Sequence, residues 1–295
     1  MAPRKLPDLS PDQVIALQDA LLANADQLLT SSLQQLDAGR VALARSLAIL
    51  GMEESGKAIA LHDRRVEMAY ADEGEQFVNG ALQKLWGSHQ AKLETVHHFL
   101  VQERYWFGVE APDPDENAEY LGAIEEWTKT HRELKEAGFY VDVDPSGAAL
   151  APSRSVDAET VRQVVEHVHQ IGWQLRLGEH IQGKQQASME CDIPPGTEEE
   201  VTAMRETMRS LDPEMVDRIV EDMRPGTPGT PLNNAAYRIR LPDNPFANVG
   251  RPGYEAEDRE LASLAAEVGL SQPGDEREDD QPEEDEARAE HLPTE

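Results

Sequence analysis

The sequence predicts an all-α protein, an antiparallel helical bundle with a largely disordered acidic C-terminal extension. Three observations carry this reading. Apolar residues recur at helical spacing through residues 10–183 with short connections between the runs. No strand run in that region is long enough to build a sheet. The chain then changes character, becoming rich in proline and in acidic residues. The whole is 295 residues with 57 acidic against 27 basic side chains, a net charge of -30, and only 39% apolar and 5% aromatic residues. Such a composition is low for a chain that buries itself throughout, so a folded part and a poorly folded part are expected.

Taken in order, Ser10-Pro11-Asp12-Gln13 supplies an N-cap, a proline at the first helical position and a glutamine at the third. Val14, Leu17, Leu21, Leu22, Leu28 and Leu29 then follow at helical spacing. A second helix is expected over about 38–70, a third over about 75–107 and a fourth over about 117–137, with Gly138 as its stop. A short extended piece, Phe139 to Val143, runs into the turn signal Asp144-Pro145-Ser146-Gly147. The last bundle helix is expected over about 157–182. The bundle therefore occupies residues 10–183.

Residues 184–224 carry two short helical patterns. One opens with a capping box at Thr197 and Glu200, the other at Ser210 with Pro213. Residues 225–295 read as a Pro/Gly-rich linker and an acidic disordered tail, with one further apolar piece at Leu261 to Leu270. Ser271 to Glu295 has no aromatic residue, and cannot bury enough apolar surface to offset about 1–2 kcal/mol of ordering entropy per residue. The net charges of residues 1–110, 111–183 and 184–295 are -5, -8 and -17, so over half the excess lies behind the bundle.

Composition excludes several classes. A single cysteine, Cys191, leaves no intrachain disulfide framework and no Cys-rich zinc site. The first residues lack the apolar run of a signal peptide, and the longest mostly apolar stretch, Val41 to Met52, is interrupted by Arg45. A cytoplasmic protein with no membrane partner is expected. A charge of -30 disfavours broad nucleic-acid affinity, because phosphates call for clustered Lys and Arg. No glycine-rich phosphate loop, nucleophile elbow or paired-cysteine motif is present, and no cofactor or metal is expected. His97 and His98 are adjacent and point about 100° apart, so they make no metal site alone. Met204, Met208, Met215 and Met223 read as a docking face.

Polar residues on apolar faces are the candidates for chemistry. On the second helix Leu43, Leu47, Leu50, Ala58 and Leu61 share one sector, with Glu54 in its middle and Lys57 at its edge. Glu53 falls further round, in an i, i+4 pair with Lys57. On the third, Leu82, Leu85, Leu93, Val96 and Leu100 form a stripe with His89 at its centre and Lys92 beside it. A carboxylate and an imidazole facing a core cost several kcal/mol unless they meet. Glu54, Lys57, His89 and Lys92 are therefore expected to form one polar cluster. It serves either to fix helix register or, as a functional site, to tune His89 for proton transfer or hold a phosphate.

The same residues carry a resemblance. Ala42 to Ala58, with its Glu-Glu-x-Gly-Lys-Ala centre, resembles the signature of the AbiV family of abortive infection proteins. Trp86-Gly-Ser-His89-Gln-Ala-Lys92-Leu resembles that family's His-x-x-Lys segment, and Lys135 to Asp142, followed by Pro152, resembles its glycine-tyrosine-valine-aspartate turn. The resemblance covers residues 20–183. It implies a bacterial phage-defence protein of the HEPN superfamily: a helical bundle, commonly a homodimer, often an RNA-targeting effector that arrests growth or translation. RNA and a phage-encoded activator are the partners it implies. Active members of the superfamily form a metal-independent endoribonuclease site from Arg-x(4–6)-His motifs paired across a dimer. Here Arg162 with His167, and Arg162 with His169, match that spacing. The competing reading is a non-catalytic helical protein that binds a phage or host protein, with the polar cluster structural.

Overall fold

The computed structural model describes residues 5–106, 111–152 and 158–240. Nine α-helices pack there as a bundle. α1 (Pro11–Asp37) starts as its sequence requires: the Ser10 side chain accepts from the Gln13 backbone while the Gln13 side chain accepts from the Ser10 backbone. A tight turn through Gly39 returns the chain into α2 (Val41–Tyr70). The next two helices, α3 (Gly80–Gly87) and α4 (His89–Gln102), replace the single helix expected over 75–107. They part at Ser88, whose side chain accepts from Ala91 N and caps α4 afresh. Likewise α5 (Pro114–Leu121) and α6 (Ile124–Phe139) replace the single helix expected over 117–137, because Gly122 at φ +78° breaks the run.

Gly138 does not stop α6. It lies inside the helix, where a side chain would strike Ser46 and the Ala42 carbonyl of α2. Gly56 does the same for α4, since a Cβ there would sit 2.5 Å from the Lys92 carbonyl oxygen. These two contacts let α4 and α6 approach α2 closely, and α2 becomes the central helix, packed by α1, α4, α6 and α7. Its buried residues accordingly go almost all the way round, with Ala44, Ala48, Ile49, Met52, Ala58, Ile59, Leu61, Met68 and Ala69 deepest.

After α6 a minimal hairpin forms, β1 (Asp142–Val143) against β2 (Ala149–Leu150), antiparallel with Asp142 opposite Leu150. The Asp144 carboxylate closes its turn by accepting from the backbones of Ser146 and Ala148. α7 (Ala158–Glu190) runs two turns beyond the expected end at residue 182. α8 (Glu198–Thr207) opens with the Thr197/Glu200 capping box, while α9 (Pro213–Met223) is capped by Asp212 and not by Ser210. These two pack on each other through Val201, Val216 and Val220 with Met208, a small core of their own.

The stretch from Pro225 is not a free linker where it is described. Residues 227–240 lie along the bundle as a strap: Asn234 N donates to the Ala69 carbonyl, Tyr237 stacks on Phe77 with ring centroids 5.6 Å apart, and Ile239 N donates to Gln186 Oε1. Leu232, Tyr237 and Ile239 give it the apolar anchors that the proline count conceals. The remaining tail from residue 241, including Leu261 to Leu270, lies outside the described residues.

Candidate functional site

The three helices that meet through Gly56 and Gly138 bring four charged or titratable side chains to one point. α2 contributes Glu53, α4 contributes His89 and Lys92, and α6 contributes Lys135. Glu53 is buried, its side chain 3% exposed. Its Oε2 accepts from His89 Nδ1 at 2.5 Å and lies 3.7 Å from Lys92 Nζ. Its Oε1 takes a close ion pair from Lys135 Nζ, which also sits 3.3 Å from His89 Nδ1. Burial alone would raise the Glu53 carboxyl, but the hydrogen bonds and charges of Lys135 and His89 outweigh it and hold the group below the usual carboxylate range. Burial lowers the Lys92 ammonium, with Glu53 opposing.

One carboxylate thus faces two ammonium groups and an imidazole. The surplus positive charge, and the N-terminus of α4 at which His89 is the first residue, make the spot attractive to an anion on an otherwise acidic chain. The His89 ring is the open member: its side chain is 61% exposed, and the bond to Glu53 commits the Nδ1 hydrogen, which leaves the lone pair on Nε2 for solvent or a ligand.

Two of the four residues expected to cluster do so, His89 and Lys92. The carboxylate is Glu53 and not Glu54. The leucine sector that placed Glu54 inward, Leu43, Leu47 and Leu50, is in fact only half-buried, and Glu54 and Lys57 continue that face. There they pair with each other at 2.5 Å, with the Lys57 ammonium 5.3 Å from the centre of the Trp86 ring. The small residues alanine, glycine and serine mark the buried side of α2, a signal that a leucine count overlooks. Lys135 entered the sequence reading only as the start of the segment that resembles the family's turn, because it lies in a polar helix, α6, with no apolar stripe for it to interrupt.

The Arg-x4-His pair does not converge within the chain. Arg162 is exposed and pairs with Glu159 at 3.3 Å, whereas His167 is half-buried with an unpartnered, buried Nδ1. Five residues of helix turn through about 140°, so the two side chains leave α7 on different faces. His169 is exposed. His97 is buried, its Nε2 2.9 Å from the Gly122 carbonyl, and His98 is exposed. Among the described residues no three His, Cys, Asp or Glu side chains are arranged to hold a metal ion, and no helix is long and apolar enough to cross a membrane.

A helical bundle around a central helix, with a charged centre where three helices cross, is the class these features define. The family model of AbiV, of the HEPN type, matches residues 13–173, over half of the chain, and the chain belongs to that family. Membership implies a role in abortive-infection phage defence. Comparison with curated proteins and with solved structures gives no match. The matched residues include the whole charged centre; the strap and the α8–α9 pair follow them.

Proposed function

We propose that the protein is an RNA-targeting effector of abortive infection whose working group is His89, held and tuned by Glu53. The observation that carries this is the 2.5 Å bond from His89 Nδ1 to a buried carboxylate, with the rest of the ring open to solvent. In that tautomer Nε2 can accept the proton of an RNA 2′-hydroxyl as its oxygen bonds to phosphorus and the P–O5′ bond breaks, the departing 5′-oxygen taking a proton from solvent, and the carboxylate stabilises the imidazolium that forms. Lys92 and Lys135, set beneath it, supply the field that offsets charge growing on the phosphate. Arg162 and His167 stand outside this site in a single chain.

A second reading is favoured by the burial of Glu53, Lys92 and Lys135: a non-catalytic protein that binds a phage or host protein and uses the centre to lock helix register. Induced expression separates the two. Under the first, His89→Ala abolishes growth arrest and RNA loss while the melting temperature stays within about 2 °C of wild type, because an exposed side chain is removed. Arg162→Ala leaves both effects intact. Undiminished RNA loss in His89→Ala defeats the catalytic assignment.

A further inference from the structure

A second site lies at the other end of α4, about 20 Å from His89 at 1.5 Å of rise per residue. There α4, α5 and α7 enclose an open cavity of about 100 Å³. Glu103, Asn117, Tyr120, His167 and Gln170 line it, with two leucines. Glu103 caps α4 at φ +36°, the only non-glycine residue in the left-handed region among the described residues. Its backbone is held there while its carboxylate accepts from three side-chain amides, Asn117 at 3.3 Å, Gln170 at 3.3 Å and Gln174 at 3.1 Å.

This arrangement spends amide donors and leaves acceptors. Asn117 uses its other donor on the Val101 carbonyl. Of the lining groups, His167 Nδ1 is without a partner, and the Glu103 carboxylate keeps lone-pair capacity beyond the three amides. A ligand rich in N–H donors is what such a lining lacks. Tyr120, 73% exposed, adds an aromatic ring to the lining. The neighbouring residues 111–121 hold Asp113, Asp115, Glu116 and Glu119 and no lysine or arginine. A phosphate-bearing ligand is repelled there and a cation attracted. Burial lowers the His167 imidazole, so it stays neutral beside an incoming positive charge.

We infer that this cavity is a guanidinium pocket, built to take the side chain of an arginine presented by a basic partner protein. The guanidinium is flat, carries five N–H donors, stacks on a tyrosine ring and pairs with a carboxylate, and its head group suits the small volume. A lysine ammonium brings the charge without the plane or the fork. The inference goes beyond the RNA-targeting proposal and does not depend on it.

The test is a titration of the ¹⁵N-labelled full chain, without RNA, with the capped tripeptide Gly-Arg-Gly, its Gly-Lys-Gly counterpart and guanosine. The arginine peptide is expected to shift the amides of Glu103, Asn117 and Tyr120 saturably, with the lysine peptide about tenfold weaker and guanosine without effect. Tyr120→Ala, which removes an exposed ring and leaves the fold alone, should weaken the arginine peptide about fivefold. Glu103→Gln should weaken it further, but also loosens the three amides, so Tyr120→Ala decides. Equal response to the two peptides, shifts away from the cavity, preferential binding of guanosine, or unchanged affinity in Tyr120→Ala each overturns the inference.

Discussion

Glu53 shows how a single buried charge sets the character of a helical crossing. It is paired with two ammonium groups from two other helices, Lys92 and Lys135, with the exposed His89 imidazole as a third partner, so removing the carboxylate strands two buried ammonium groups. Glu53→Gln keeps the volume and loses the charge, and should cost about 3–5 kcal/mol in urea unfolding, against less than about 1 kcal/mol for His89→Ala. Equal losses from the two would show that His89 is a structural member of the centre and not its working group. Residues of this kind were half legible. His89 and Lys92 do meet, as polar groups interrupting an apolar stripe led one to expect, yet the carboxylate was misplaced by one residue. A one-residue error on a helix is a 100° error in direction, and α2 is buried on so many sides that its leucines do not define an inward face.

At the scale of elements, the helices with strong local signals formed where their caps and prolines put them, as at Ser10-Pro11 and at Thr197 with Glu200. The misses were breaks inside apolar runs, at Ser88 and Gly122, where a capping side chain or a left-handed glycine overrides a pattern that carries on across it. The close approaches at Gly56 and Gly138 were invisible to periodicity, since they depend on which helix lies opposite. They are also what creates the candidate site. Gly56→Ala should therefore push α4 off α2 and cost about 1–3 kcal/mol, and at the same time weaken any His89-dependent activity, because Lys92 and His89 ride on the displaced helix. A Gly56→Ala chain with wild-type stability in urea would mean that the crossing has slack that the 2.5 Å approach denies. The strap is the other element hidden by composition. Tyr237→Ala strips the stacking partner from Phe77 and should lower stability by about 3 kcal/mol, although the residue lies in a Pro/Gly-rich stretch. A loss below about 0.5 kcal/mol would return residues 227–240 to the status of a linker.

Across the whole molecule the excess of acid suggests a protein that resists mild acid, since protonating carboxylates relieves repulsion. The interior argues the opposite. His62, between α2 and the Tyr105 hydroxyl at 2.9 Å, is pushed down to about 3 by burial and by the nearby Arg104, Arg65 and Arg176. His131 is pushed down to about 4 by burial, against a hydrogen bond to the Trp127 carbonyl that works the other way. Both imidazoles stay neutral in the native state at pH values where the unfolded chain binds their protons. Stability from each is therefore fully present above the ordinary histidine pKa and lost as pH falls below it. In that window the slope is about 1.4 kcal/mol per pH unit for each group. Glu53, held low by its partners, adds a loss of the same sign only further down, in the carboxylate range. The unfolding free energy should thus be lower by about 2–3 kcal/mol at about pH 5.5 than at about pH 7.5, measured by urea denaturation at both, and His62→Gln should remove roughly half of that difference. A free energy that is flat between the two pH values would mean that native His62 and His131 take up protons freely. In that case the buried, arginine-flanked centre of the bundle would not exclude charge as its geometry requires.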